Sequence, residues 1–250
     1  MRGRLLFSLA WLVLAGPGWA EHSAECRVGV QQAERDFALP QVARALAAKQ
    51  LDVVVVGAGS SLLPGLNGAH FAYPARLQQA LAGKLPGIAV KVTTDVQPRR
   101  TAADMVKTMA PVLAAAKPAL MIWETGTVDA MQAIDTDQFR AALEHGIRIA
   151  RSAGADVVLV NAQYSPRTES MIGLGAYAEQ MRWVALQQEL PLFDRFATMR
   201  LLADLGTFDL YSATKKLDIA ERVHDCIGQL LADLVIESAK PEEPRAESDR

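Results

Sequence analysis

The chain has 250 residues, of which 50% are hydrophobic and 22% charged, and its formal net charge is −2. This composition excludes a disordered or collagen-like chain, and the near-neutral charge argues against a nucleic-acid-binding protein, which normally carries a basic excess. Two cysteines are too few to build a small disulfide-stabilised domain, although they can form one bridge.

The N-terminus has the pattern of a secretory signal peptide. Arg2 and Arg4 precede a largely apolar run at residues 5–15, and Gly18-Trp19-Ala20 supplies a small-x-small cleavage site. An uncleaved anchor is the alternative, but the apolar run is shorter than the roughly 20 residues that a membrane span needs. We therefore predict a signal peptide over residues 1–20 and a periplasmic or secreted protein with no stable membrane span after cleavage.

Export also changes what the two cysteines can do. In an oxidising compartment Cys26 and Cys226 can pair, which would tie the N-terminal segment to the last predicted helix. Two unpaired buried thiols are the alternative. We expect the disulfide, because these two are the full complement of cysteines in an exported chain.

Strand and helix patterns alternate along the rest of the chain. Apolar, largely β-branched runs typical of strands buried on both faces of a sheet occur at residues 53–56, 88–93, 119–123 and 155–161, with a shorter candidate at 190–193. Helices are predicted at residues 71–82, 102–116, 136–153, 174–189 and 217–236. Thr101 and Asp104 have capping-box spacing, and Asp135 can cap the helix that follows it.

This alternation predicts an α/β fold, a three-layer α/β/α sandwich around a parallel sheet. The domain is expected over residues 51–236, after an N-terminal segment at 21–50 and before a charged, disordered tail at 237–250. In such sheets ligands bind beyond the carboxyl ends of the strands, so the residues that follow each strand are the candidates for a site.

Cofactor and metal sites are not predicted. The loop after the first strand reads GAGSSL at residues 57–62, so the third glycine of a dinucleotide-binding fingerprint falls on Leu62. His22, His70 and His145 do not have the spacing of metal ligands.

Taken together, the strand ends resemble the SGNH (GDSL-type) hydrolases, in particular an exported bacterial branch. The resemblance rests on VVVVG at 53–57, YPARL at 73–77, KPALMIW at 117–123, AGADVVLV at 153–160, QYSPR at 163–167 and PLFDRF at 191–196. It implies a flavodoxin-like fold and ester hydrolysis by a serine nucleophile, an oxyanion hole with a glycine amide and a Gly-x-Asn side chain, and a base from Asp-x-x-His.

The family's nucleophile, oxyanion glycine, Gly-x-Asn and Asp-x-x-His form four sequence blocks, and the first three are altered in this chain. With Gly57 directly after the strand, the nucleophile position falls on Gly59, whereas a two-residue shift makes Ser61 the nucleophile. The oxyanion glycine position falls near Val96. Gly-x-Asn becomes Gly126-Thr127-Val128, and valine offers no side-chain donor.

The last block is altered as well. Asp-x-x-His aligns with Lys215 to Asp218, and neither end residue can act as the family's acid or base. The acid-x-x-His string nearby is Glu221 to His224. His224 also shares helical spacing with apolar neighbours, which favours a packing role over a catalytic one.

Other polar residues follow the strands. Gln163, Tyr164 and Arg167 come after the fourth strand and are predicted to form a binding rim, with ordinary loop chemistry as the alternative. Glu124 and Asp129 could also form a polar site with Arg99 or Arg100, or lie as separate surface charges.

Two hypotheses follow. The first is a catalytically impaired pseudo-esterase that binds an acylated envelope ligand, either a small molecule or a glycan ester; its protein partners cannot be inferred. The alternative is an active ester hydrolase that uses Ser60 or Ser61 with a displaced His224 base, oriented by Glu221 or Asp225.

Overall fold

A five-stranded parallel sheet forms the centre of the molecule. The computed structural model describes residues 26, 37–211 and 217–240. Within them the strands are β1 (Gln50–Gly57), β2 (Ala89–Val96), β3 (Leu120–Glu124), β4 (Asp156–Val160) and β5 (Leu192–Phe193). Their spatial order is β2-β1-β3-β4-β5, and every neighbouring pair is parallel. This is the flavodoxin-like order, so the predicted fold is confirmed.

Helices flank the sheet. In chain order they are α1 (Pro40–Ala47), α2 (Gly68–Phe71), α3 (Tyr73–Lys84), α4 (Ala102–Ala116), α5 (Thr127–Met131), α6 (Thr136–Ser152), α7 (Pro166–Glu169), α8 (Leu174–Gln187), α9 (Arg195–Asp204) and α10 (Asp218–Ser238). The sequence patterns did not predict α1, α9 or the short helices α2, α5 and α7.

The strand order fixes which helices share a face of the sheet. The step from β1 to β2 runs in one direction and the later steps run in the other, so right-handed crossovers place α3 on one face and α4, α6 and α8 on the opposite face. Helix α10 packs on α3, where a Cβ atom at Gly228 would lie 2.8 Å from the backbone nitrogen of Leu77. On the other face, a Cβ at Gly146 would lie 2.5 Å from the Trp123 ring.

Burial of the strands agrees with the prediction except at β2. Residues 53–56 of β1 and all of β3 are buried. In β2 no residue is buried, and positions such as Lys91 are exposed. The expectation of a strand buried on both faces is wrong here, because β2 lies at the edge of the sheet and has β1 as its single neighbour.

Two local capping signals predicted the starts of helices correctly. Thr101 and Asp104 form the capping box of α4, and Asp135 accepts hydrogen bonds from the N–H groups at the start of α6. The prediction of a single helix at 71–82 is wrong, since Ala72 is extended and separates α2 from α3. Pro74 lies in the first turn of α3, a position that proline favours.

A disulfide joins Cys26 to Cys226, as expected. The two Cα atoms lie 5.4 Å apart, and both residues are buried. The predicted signal peptide, Lys215 and residues 241–250 lie outside the described residues. Helix α10 runs to Ser238, so its last turn includes the start of the segment predicted as a tail. No helix in the described ranges has the length and apolar character that a membrane crossing requires.

Candidate functional site

The loop after β1 brings two serines to the carboxyl edge of the sheet. Ala58 continues the extended strand, and residues Gly59–Ser61 then form a single 3-10 turn. Gly57 is necessary at the strand end, because a Cβ atom there would collide with the Ser61 hydroxyl. The turn thereby holds Ser61 fully buried, while Ser60 is half-buried.

Both serine hydroxyls bind the same carboxylate. Glu124 is the last residue of β3 and has no solvent exposure. Ser60 Oγ donates to Glu124 Oε1, and Ser61 Oγ donates to Glu124 Oε2. A charged carboxylate at this depth needs paired charges and hydrogen bonds to offset its lost hydration.

Arg195 supplies the opposite charge. It opens α9 directly after β5, is fully buried, and its Nη1 lies 3.5 Å from Glu124 Oε2. Both Nη atoms donate to the Ser60 carbonyl at 3.1 Å, and Nη2 donates to Gln163 Oε1 at 3.1 Å. One guanidinium therefore ties together residues at or just after the carboxyl ends of β1, β3, β4 and β5.

Sequence reasoning missed this role of Arg195. The sequence PLFDRF at 191–196 contributes to the family resemblance, but its arginine was not predicted to be a site residue. The available signal was its position immediately after a strand, where ligand-binding residues of such sheets lie. Its Nε atom is buried and has no hydrogen-bond partner among the described residues.

Tyr73 and His224 complete the buried cluster. Ser61 Oγ and Tyr73 Oη lie 3.1 Å apart, and the Arg195 guanidinium lies over the Tyr73 ring at 5.6 Å. The backbone N–H of Tyr73 donates to His224 Nδ1 at 2.9 Å. Burial, and secondarily the Glu124 charge, raises the pKa of the Tyr73 hydroxyl, so it stays protonated at neutral pH.

His224 is placed as a neutral, packed side chain. It is only 4% exposed, and burial together with the positive charge of Arg195 lowers its pKa to about 3. Within residues 37–211 and 217–240, neither Ser60 nor Ser61 forms a hydrogen bond with it. Its recorded hydrogen bond is the one from Tyr73, which occupies Nδ1.

Neither Asp225 nor Glu221 orients the His224 imidazole. Asp225 accepts from Gln229 at 2.7 Å and lies 3.8 Å from Arg76. Glu221 makes no hydrogen bond with His224 in the described part of the chain. The histidine thus has no carboxylate partner there.

The altered family positions fall at the ends of structural elements. Gly59 opens the 3-10 turn, and Val96 ends β2. Val128 lies in α5, half-buried against the core, and Asp218 is exposed at the start of α10. Gly126 has a φ of +97°, a left-handed conformation that favours glycine.

The grouping of Glu124 and Asp129 with Arg99 or Arg100 does not form. Asp129 accepts from the N–H of Ala102 at 2.9 Å, and burial raises the pKa of its carboxyl. Arg100 pairs with Asp95 at 2.9 Å. These two charges therefore fix loops beside the buried cluster, and Glu124 pairs with Arg195 instead.

The predicted rim residues separate into three roles. Gln163 is half-buried and contacts Arg195. Tyr164 is buried and packs edge-on against Phe196, with ring centroids 5.3 Å apart. Arg167 is exposed in α7. Of the three, Gln163 is the one that joins the cluster.

The described residues also bear on metal binding. Within them, no group of three or more His, Cys, Asp or Glu side chains is arranged to hold a metal ion. The cluster after the strands therefore consists of a paired carboxylate and guanidinium, two hydroxyls, a phenol and a neutral imidazole. Such a set can hold a polar group by hydrogen bonds.

Comparison with solved structures shows that the chain has a known fold. The chain is similar to TesA (23% identity, TM-score 0.56, 73% of this chain and 98% of that one) and to a lipase/acylhydrolase from Enterococcus faecalis (18%, 0.57, 73% and 94%). A two-domain esterase (CEX) active on acetylated mannans also matches (15%, 0.64, 85% and 59%). No curated protein matches the sequence.

These similarities confirm the expected SGNH (GDSL-type) hydrolase fold. The sequence itself matches one family model over residues 25–241, which is most of the chain and includes every strand of the sheet. By that match, the chain belongs to the non-GDSL lipase-like family.

Proposed function

We propose that this chain is an exported, catalytically impaired relative of the SGNH esterases that binds an acyl ester ligand. One observation carries the proposal: the hydroxyls of Ser60 and Ser61 both donate to Glu124, and neither bonds to His224. A serine nucleophile of this fold needs a histidine to take its proton, and here that proton is held by a carboxylate paired with Arg195.

The state of His224 argues in the same direction. A general base works best when its pKa lies near the operating pH, whereas the pKa of His224 is lowered to about 3. Its Nδ1 atom accepts from the Tyr73 backbone, so the hydrogen bond that would orient a catalytic imidazole is missing. Ser61 is also fully buried, which limits the approach of a substrate.

Stabilisation of the oxyanion is weakened as well. Val128 stands where the family has an asparagine side-chain donor, and removal of one such donor typically costs about 10²–10³ in rate. The missing oxyanion donor and the hydrogen bonds of both serine hydroxyls to Glu124 favour ligand binding without efficient turnover.

The ligand is proposed to be a small-molecule or glycan ester. The carboxyl edge of the sheet offers half-buried Ser60 and Gln163, both held by Arg195. A structural neighbour acts on acetylated mannans, which supports an acylated envelope ligand. The Cys26–Cys226 disulfide supports an oxidising compartment, consistent with the predicted export signal.

Turnover of p-nitrophenyl acetate and butyrate tests the proposal. We expect the rate with the wild-type chain to equal that of Ser61→Ala and of Ser152→Ala, a matched control at an exposed serine on α6. Turnover that falls about a hundredfold in Ser61→Ala but not in Ser152→Ala would overturn it.

The active hydrolase is retained as a second candidate because Ser60 is only half-buried. It requires the imidazole of His224 to turn away from Tyr73 and reach a serine hydroxyl. It predicts turnover that is lost in both Ser60→Ala and His224→Ala. If Ser60→Ala keeps the wild-type rate, Ser60 is excluded as the nucleophile.

A further inference from the structure

A wide groove lies between the C-terminal ends of α4 and α6, at the amino edge of the sheet. Its volume is about 850 Å³, which is within the range of ligand-binding sites. Lys117 and Ala153 of the groove precede β3 and β4, whereas the candidate site lies at the carboxyl ends of the strands. The groove is therefore separate from the candidate site and shares no lining residue with it.

The groove combines an apolar floor with basic side chains. Leu113 and Ile149 supply the larger apolar groups, and alanines beside them leave the space open. Lys117, His145 and Arg148 line the groove and are exposed. Within the described residues, no aspartate or glutamate lines it, and none of the three basic side chains forms an ion pair. An acidic peptide segment would supply the missing complementary charge.

Helix α10 ends at the same edge of the sheet. The Ser238 carbonyl accepts a hydrogen bond from the Leu39 N–H at 2.8 Å. Two residues further along, the Gln41 N–H donates to Asp156 Oδ2 at 2.7 Å. Asp156 opens β4 and lies three positions after Ala153 of the groove. These short steps place Ser238 within about 30 Å of the groove.

Residues 241–250 continue the chain from the end of α10 and are acidic. They include two arginines and four acidic residues, the latter being Glu242, Glu243, Glu247 and Asp249. An extended chain spans about 3.3 Å per residue, so Glu247 and Asp249 can lie about 30 Å or more from Ser238. The segment is therefore long enough to bring these two carboxylates into the groove.

Positive charge also flanks the path between the two places. Burial raises the pKa of Asp156, and the nearby charges of Arg44 and Arg151 oppose this effect. Both arginines are exposed, Arg44 on α1 and Arg151 in the last turn of α6. Basic side chains thus extend from the region of Asp156 to Arg148 in the groove, which favours an acidic segment along this path.

We infer that residues 241–250 bind in the groove of their own chain, with Glu247 and Asp249 facing Lys117 and Arg148. Because the segment is covalently attached, its effective concentration at the groove is on the order of millimolar, so individually weak contacts suffice. The inference concerns the edge of the domain opposite the candidate site and does not rest on the proposed function.

Methyl NMR of Leu113 and Ile149 reports directly on the groove. The amide variant is the full chain in which the four acidic residues of 241–250 are replaced by glutamine or asparagine. Its Leu113 and Ile149 signals should shift relative to the wild type, whereas the signal of Val54, buried in β1, should not. Unchanged signals at both Leu113 and Ile149 would overturn the inference.

A synthetic peptide with the sequence of residues 241–250 provides a second measurement. In the amide variant the groove is open, so the peptide should shift the Leu113 and Ile149 signals. In the wild type the attached segment competes and should weaken the apparent affinity at least about tenfold. Equal affinity for the two chains would overturn the inference and assign the groove to an acidic segment of another protein.

Charge variants test how the peptide is recognised. In the amide variant, Lys117→Gln combined with Arg148→Gln should weaken peptide binding about tenfold. Lys91→Gln on the edge strand β2 is the matched control and should leave the affinity unchanged. All three side chains are exposed, so the melting temperatures should stay near that of the parent. The inference is overturned if the double change leaves the affinity intact, or if Lys91→Gln weakens the peptide equally.

Discussion

Arg195 and Glu124 form an ion pair in which neither side chain is exposed to solvent, with 3.5 Å between Arg195 Nη1 and Glu124 Oε2. The pair lies at the point where β1, β3 and β5 end, and both members also bind Ser60. A buried ion pair is costly to break, because the remaining partner is left as an uncompensated charge. The stability of the loop after β1 therefore depends on it.

Removal of one member of this pair should destabilise the fold strongly. Glu124→Gln and Arg195→Met are each expected to lower the free energy of unfolding by about 3–5 kcal/mol in urea titrations. The double variant should lose less than the sum of the two single losses. As a control, Lys107→Ala removes an exposed partner of Asp104 and should change stability by less than about 0.5 kcal/mol. Additive single losses would contradict the pairing.

The close approach of Ser61 to Gly57 makes this glycine intolerant of a side chain. In Gly57→Ala the new Cβ collides with the Ser61 hydroxyl, so we expect a loss of about 1–3 kcal/mol in the free energy of unfolding. Gly83→Ala on α3 is the matched control, since a Cβ there meets no atom within 4 Å. It should stabilise the helix by up to about 1 kcal/mol. Equal effects of the two changes would show that the Ser61 contact is unimportant.

The burial of His224 should make stability depend on pH. Its folded pKa of about 3 lies below the ordinary value of 6.5, so the unfolded chain binds more protons between these values. The contribution to stability is full above about pH 6.5 and is lost as the pH falls toward 3, by at most about 1.4 kcal/mol per pH unit. Urea unfolding at several pH values gives the unfolding free energy as a function of pH. Between pH 3 and pH 6.5 this free energy should change less with pH in His224→Asn than in the wild type.

An exposed histidine provides the control for this measurement. His145→Asn on α6 should leave the pH dependence of the unfolding free energy as it is in the wild type. If the unfolding free energy of His224→Asn has the same pH dependence as that of the wild type, the imidazole is not held neutral by burial.

The disulfide between Cys26 and Cys226 closes a long stretch of chain. The two residues are 200 positions apart, so the bond restricts the unfolded state considerably. Cys26→Ser with Cys226→Ser is expected to lower the free energy of unfolding by about 2–5 kcal/mol. A reducing agent should lower the stability of the wild type to that of the double variant and leave the double variant unchanged. An unchanged wild type under full reduction would contradict this role.

Local features were predictable because they depend on neighbouring residues. The valine run at 53–56 predicted a buried strand, and Thr101 with Asp104 predicted the start of α4. The edge position of β2 was not predictable in the same way, since four of its five half-buried residues are valine or threonine, the β-branched types that also fill central strands. Burial there is decided by the order of the strands and not by composition.

The candidate site was predictable only in part. The strand-end rule and the family resemblance led to Ser60, Ser61, Gln163 and His224, which the structure places in or beside one buried cluster. Arg195 also follows a strand but was not singled out, and its contact with Ser60, which spans 135 positions, is not encoded by any local pattern. The use of Glu124 as a shared acceptor depends on the same long-range packing.

The most direct test of the account is whether either serine behaves as an activated nucleophile. Intact-mass spectrometry after incubation with a fluorophosphonate probe measures this in the full chain, because the probe forms a covalent adduct only with an activated hydroxyl. With both hydroxyls committed to Glu124, we predict no adduct. An adduct located at Ser60 or Ser61 that disappears in His224→Ala would contradict the central claim.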